Sequence, residues 1–274
     1  MPTPGRRPLL GALLAALLSA ASCGHSAAAS EPTPAPAITP VARIQSAIAD
    51  AAGARNEEEL TFALRELAKL GGPGNRDLVP QLVVFGLAQR DARAALVPGV
   101  IRVRLGITDA QLVEALLPYL QTTDREQRTL LYNWLGGIDS AAGAQRDFTL
   151  YRTVIAARPN DPPLGLVRYM YETDPDTAVA TLAEVYAAPP ERATLAATLR
   201  PVSEALAANR SGPLDADQGS AAQVALKTLA RHSDWWVRLY AATAIVKVPQ
   251  LQSPELLEVL RADQHPLVRG TIGN

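Results

Sequence analysis

From about residue 60 onward, apolar side chains recur three and four positions apart. Leu60, Phe62, Ala63, Leu64, Leu67, Ala68 and Leu70 mark one helical stripe, and Gly71-Gly72-Pro73-Gly74 ends it. Leu112, Val113, Leu116, Leu117 and Leu120 form a second, with Thr108 placed to cap its start. Leu130, Leu131, Trp134 and Leu135 form a third, capped by Asp124 and stopped by Gly136-Gly137. Val179, Leu182 and Val185 continue the series, then Leu195, Leu199, Val202 and Leu206. Strand-like alternation is hard to find. Ala, the commonest residue, favours helix, and Pro falls mostly between the stripes, as at Pro162-Pro163 and Pro189-Pro190. The pattern predicts an all-α body of about a dozen short helices joined by brief connections.

The C-terminal part repeats itself. Residues 225–238 align with 256–269 at an offset of 31. Leu226 falls on Leu257, Leu229 on Leu260, Val237 on Val268, Arg238 on Arg269, and Trp235 on Pro266, a residue suited to the first helical position. A period of this length marks stacked repeats, because one helical pair cannot bury its apolar face without a neighbour. Asp234, Val237, Arg238, Ala241, Ala242 and Ile245 resemble the HEAT-like repeats of short bacterial type. In that family a polar loop leads into a Val-Arg pair and an Ala-rich second helix. The resemblance is clear over 217–274, partial over 108–137, where Gln127 replaces the valine, and poor over 145–210. The middle reads either as degenerate repeats or as hairpins of tetratricopeptide type, with 161–187 as one such hairpin. The resemblance implies a right-handed α-solenoid in which Arg238 and Arg269 bond to acids or carbonyls of a neighbouring repeat. No polar capping helix follows the last repeat, so that end is expected to fray or to be covered by a partner.

The N-terminus has a different texture. Arg6 and Arg7 precede a nearly unbroken Leu/Ala run, Leu9–Leu18, and then the small residues Ser19-Ala20-Ala21-Ser22 and Cys23. This is the layout of a secretory signal, and the run is shorter than the ~20 residues that span a bilayer. Ala20-Ala21-Ser22-Cys23 resembles the lipobox of bacterial lipoproteins, with Ala20 where that family usually has Leu. The resemblance implies cleavage after residue 22, lipid on Cys23 and attachment to a membrane. In a Gram-negative envelope Gly24 further implies the outer membrane, facing the periplasm. The other reading is ordinary signal cleavage near Ala21 or within Ala27–Ala29. Cys23 is the sole cysteine, so no disulfide within the chain stabilises the body. Residues 23–40 hold Pro32, Pro34, Pro36 and Pro40 and little to bury, which predicts an extended tether reaching up to roughly 50 Å. The expected division is signal 1–22, tether 23–40 and helical repeat domain 41–274.

Losing residues 1–22 removes two arginines and no acid, moving the formal charge from −1 to −3. That excludes a basic field for nucleic acid or for anionic lipid. The chain has three histidines, and His25 lies in the tether. The register sets His232 beside Asp263 and Asp234 beside His265, the one His/Asp cluster of the body. Such a set has the donors for zinc, but Asp234 and His265 also fit helix-cap positions, and a structural role is the expectation. Trp236, aligned with Leu267, is expected in the core. Trp235 is expected at a loop edge, where inter-repeat packing competes with a weak candidacy as a partner anchor. Arg90, Arg93, Arg102 and Arg104 read as solvated helix faces. No nucleophile-base pair, phosphate loop or paired metal ligands stand out, so no catalytic residue, cofactor or metal is expected. The functional expectation is a lipid-anchored scaffold that binds a protein partner in the cell envelope. The alternative is an accessory or ligand-binding module of an envelope enzyme complex.

Overall fold

The computed structural model describes residues 79–88, 97–141 and 148–273, with isolated positions between Ser46 and Phe62. All of them lie in the contact unit Pro40–Asn274. The stripe at 60–74, the tether and Cys23 fall outside the described residues, apart from Phe62. Every regular element among the described residues is helical, as the periodicity predicts. Among the described residues, the α-helices with defined bounds are α1 (Val79–Ala88), α2 (Val97–Arg104), α3 (Asp109–Leu116), α4 (Arg125–Ala141), α5 (Thr149–Ala156) and α6 (Leu164–Thr173), then α7 (Pro175–Tyr186), α8 (Pro189–Asn209), α9 (Ala216–Leu229), α10 (Trp235–Lys247), α11 (Pro254–Arg261) and α12 (Pro266–Gly273). A 3-10 turn, Pro249–Leu251, follows α10. No helix in this set is long and apolar enough to cross a membrane.

Local chemistry sets most helix starts. Thr108 caps α3 in a reciprocal box: its side chain accepts from the Gln111 amide, and the Gln111 side chain accepts from the Thr108 amide. Asp124 accepts from the Glu126 and Gln127 amides at the start of α4. Asp174, Asp215 and Ser253 do the same for α7, α9 and α11. Each such cap stabilises its helix by about 1 kcal/mol. One expectation needs correcting. Gly136-Gly137 does not stop α4, which continues to Ala141. Trp134 and Leu135 on one side and Ile138 and Asp139 on the other are all buried, and that packing outweighs a propensity cost of about 1 kcal/mol per glycine. Pro201 lies inside α8, within the stripe of Leu195, Leu199, Val202 and Leu206.

The helices α1, α3, α5, α7, α10 and α12 form a continuous row, each packing on the next. α6 packs on α7 and α10, and α8 and α9 pack together along most of their length. Helix α10 holds the centre of the C-terminal part. Trp236, Val237 and the run Leu239–Ile245 are buried, so it is apolar all round, as a helix enclosed by others must be. Val237 and Ile245 each contribute about 1.5–3 kcal/mol through burial. Two glycines set close approaches. A Cβ on Gly165 would sit 2.6 Å from the Leu120 side chain, and one on Gly86 2.7 Å from the Trp134 ring.

Candidate functional site

The loops before α10 and α12 repeat the same bonding 31 residues apart. Arg238 Nη1 donates to His232 O (2.8 Å) and Ser233 O (2.7 Å). Arg269 Nη1 donates to Asp263 O (2.5 Å) and Gln264 O (2.7 Å), the carbonyls in the same register. Each arginine therefore ties down the turn that leads into its helix. Val237 and Val268, one position earlier, are fully buried.

Arg238 also reaches across to the next loop. Its Nε donates to Asp263 Oδ2 (2.6 Å) and its Nη2 to Asp263 Oδ1 (3.0 Å), a forked pair with side chains only 16% and 4% exposed. Asp263 Oδ1 also accepts from the His265 amide at 2.7 Å. Burial opposes ionisation of Asp263, but the bond and charge of Arg238 and the His265 amide hold its carboxyl below the usual range. The Arg238 guanidinium is pushed up by the same bond.

The neighbouring aromatic groups complete this joint. The rings of Trp235 and His265 stack at 4.2 Å and 11°. Trp235 is thus half-buried against the adjacent loop, and Trp236 is in the core. Burial pushes the His265 imidazole down; Arg238 and Arg269 add to that and the Asp263 carboxylate opposes it. The expected Asp234 cap is not made: Asp234 occupies the N-cap position of α10, but its side chain bonds no helix amide. Its own amide donates to His232 Nδ1 at 3.1 Å, and Arg238 takes over the fastening of the turn. The four residues of the His/Asp cluster pair within their own loops, His232 with Asp234 and Asp263 with His265, and no three His, Cys, Asp or Glu side chains gather as metal ligands among the described residues. Arg102 is not a free solvated cation; it pairs with Asp109 at 2.6 Å. Arg90 and Arg93 lie outside the described residues, as does the side chain of Arg104.

Two polar networks have no counterpart in the sequence reading. Asp176 Oδ1 accepts from Tyr240 OH at 2.6 Å and from Ser203 Oγ, joining α7, α10 and α8. Burial first, then Asp176, pushes the Tyr240 hydroxyl up, so it stays a neutral donor. With both hydroxyls engaged on one carboxylate, the trio staples three helices. In the second, Tyr169 OH donates to the buried Asp139 at 2.7 Å and Tyr151 OH donates to Leu135 O at 3.1 Å. Phe148 and Tyr132 pack around these rings. Residues 16 to 64 apart in the chain leave no spacing signal. Only Asp139, an acid beside the stripe of Trp134, Leu135 and Ile138, was a visible anomaly.

An open groove of about 330 Å³ runs between α6, α10 and α12. Leu239 and Val246 give it an apolar floor, with Arg168, Glu172, Lys247 and Thr271 around it. Val246 is 49% exposed, unusual for a large aliphatic side chain on so buried a helix. Lys247 Nζ donates to Glu172 O at 2.9 Å across the rim. Comparison of the chain with protein-family models, with curated proteins and with solved structures finds no match.

Proposed function

We propose that this chain is a lipid-anchored envelope protein whose helical body is a HEAT-like repeat scaffold for another protein. The observation that carries the scaffold reading is the duplicated arginine clasp: two successive helical pairs fasten their turns identically, and the first binds the second through Arg238 and Asp263. Repeat bodies of this construction expose long helix faces without needing a closed active site. The open groove beside Val246 supports the same reading. The anchor rests on the signal-like N-terminus and the sole cysteine, Cys23, in its lipobox-like setting.

The test is a crosslinking pull-down from detergent-solubilised membranes, comparing the wild type with Cys23→Ser. The proposal expects the wild type in the membrane fraction with a specific protein attached, and the variant in the soluble fraction without it. If both forms are soluble, the anchor is refuted. If the anchor holds and no protein is captured, the scaffold gives way to an accessory, ligand-binding role.

A further inference from the structure

The groove between α6, α10 and α12 is built from one face of each helix. On α10, Leu239, Thr243 and Val246 stand four and three positions apart, so they form one stripe about two turns, or roughly 10 Å, long. Leu267, Gly270 and Thr271 line it from α12 at the same kind of spacing. The hydroxyls of this lining are engaged inward. Thr243 Oγ donates to Leu239 O (2.8 Å), Thr271 Oγ to Leu267 O (2.9 Å) and Tyr171 OH to Trp236 O (2.6 Å). The floor therefore offers an occupant apolar contact and no free hydroxyl proton. A Cβ added at Gly270 meets nothing within 4 Å, so the α12 wall leaves room beside its backbone.

The rim is cationic. Arg168 lines the α6 side and forms no hydrogen bond or ion pair among the described residues. Lys247 Nζ donates to Glu172 O at 2.9 Å, which leaves two of its three N–H groups. The Glu172 carboxylate acts on the far side: burial first, then this carboxylate, pushes up the hydroxyl of Tyr132 on α4, a helix that does not line the groove. Two cations with unfilled donors thus border an apolar strip, on a chain whose formal charge is −1. The positive charge is local to this rim.

We propose that the groove takes an amphipathic, acidic helix of a protein partner, with its apolar side chains along the α10 stripe and its edge carboxylates on Arg168 and Lys247. The inference rests on the scaffold reading and names the partner's chemistry. A straight two-turn groove matches apolar anchors three and four positions apart on an incoming helix. An extended strand would find no backbone partners, because the groove walls are helices whose backbone groups bond internally. The rim charges select acid over base and set the register.

The probe is a synthetic alanine-based helical peptide with leucines at positions i, i+4 and i+7 and glutamates flanking them, titrated into the full chain. A second peptide carries lysine at every glutamate position. Saturable binding of the glutamate peptide is expected, about tenfold tighter than the lysine peptide at low salt, with the preference shrinking as salt rises. Arg168→Glu brings the two peptides within about twofold of each other, and Arg168→Lys keeps the preference. Gly270→Leu fills the groove and abolishes binding of both. Arg168 holds nothing and Gly270 has room for a side chain, so neither variant lowers the melting temperature. No saturable binding, equal binding of the two peptides, or binding that survives Gly270→Leu overturns the proposal. So does a dimer of this chain that Gly270→Leu splits, which makes a second copy the occupant. In any of these events a partner captured from membranes keeps the scaffold reading and moves its docking site elsewhere.

Discussion

Asp263 is the residue on which the C-terminal joint turns. It accepts the Arg238 fork, orders the His265 amide, and lends its own carbonyl to Arg269. Asp263→Ala leaves a largely buried guanidinium without its carboxylate, and about 3 kcal/mol of unfolding free energy is expected to be lost in denaturant titration. Acid should loosen the same joint. His265 is held below its ordinary value, so the folded protein favours the neutral ring. The associated stability is fully present above the unfolded value of about 6.5 and falls as pH drops below it. Asp263, also held low, adds a second loss in the more acidic range below the usual carboxylate value. Thermal melts of His265→Gln should lose the first decline and keep the second; an unchanged profile between pH 6.5 and 5 would refute the assignment to His265. At this scale the sequence was legible where register carried the information: Val237, Arg238, Val268 and Arg269 take equivalent places. It was not legible where a side chain had two possible partners. Asp234 fits the cap position by type, yet Arg238 and His232 occupy the groups around it. Asp176, Ser203 and Tyr240 meet only because three helices cross.

At the scale of elements, packing overrides local preference wherever a helix is flanked by core. Gly136-Gly137 has the composition of a stop, but buried residues continue on its far side and α4 goes on. Gly137 is exposed within that helix, and a Cβ there meets nothing within 4 Å. Gly137→Ala should therefore stabilise the protein, by about 0.5–1 kcal/mol. Gly165→Ala should do the opposite. Its Cβ would press within 2.7 Å of the Leu120 carbonyl oxygen, which cannot move without shifting the end of the α3 segment. A loss of about 1–3 kcal/mol is expected. Both are measured by chemical denaturation, and the pair distinguishes backbone propensity from close packing on one helical scaffold. The helix-forming stripes themselves were readable because a 3.6-residue period survives substitution. The crossings were not, because they depend on contacts such as Gly86 against Trp134 that no local pattern encodes.

At the scale of the molecule, the row α1, α3, α5, α7, α10 and α12 gives each of its inner helices a predecessor and a successor. The chain is regular only where its register is clean. Between 145 and 210 the poor repeat match corresponds to helices of unequal length, with the 21-residue α8 against the 8-residue α5. The groove lined by Val246 was not legible, since its floor and rim come from three helices that start at Leu164, Trp235 and Pro266. The central claim, a membrane-held body that docks a protein on its helix faces, is tested most directly by site-specific photocrosslinking in intact membranes. A photoreactive residue is placed at Val246, in the groove, or at Val224, which is 67% exposed on α9 outside it. The account predicts one discrete protein adduct from position 246, none from 224, and loss of the adduct when Cys23 is replaced by Ser. No adduct from either position, or the same adducts from both, would contradict it.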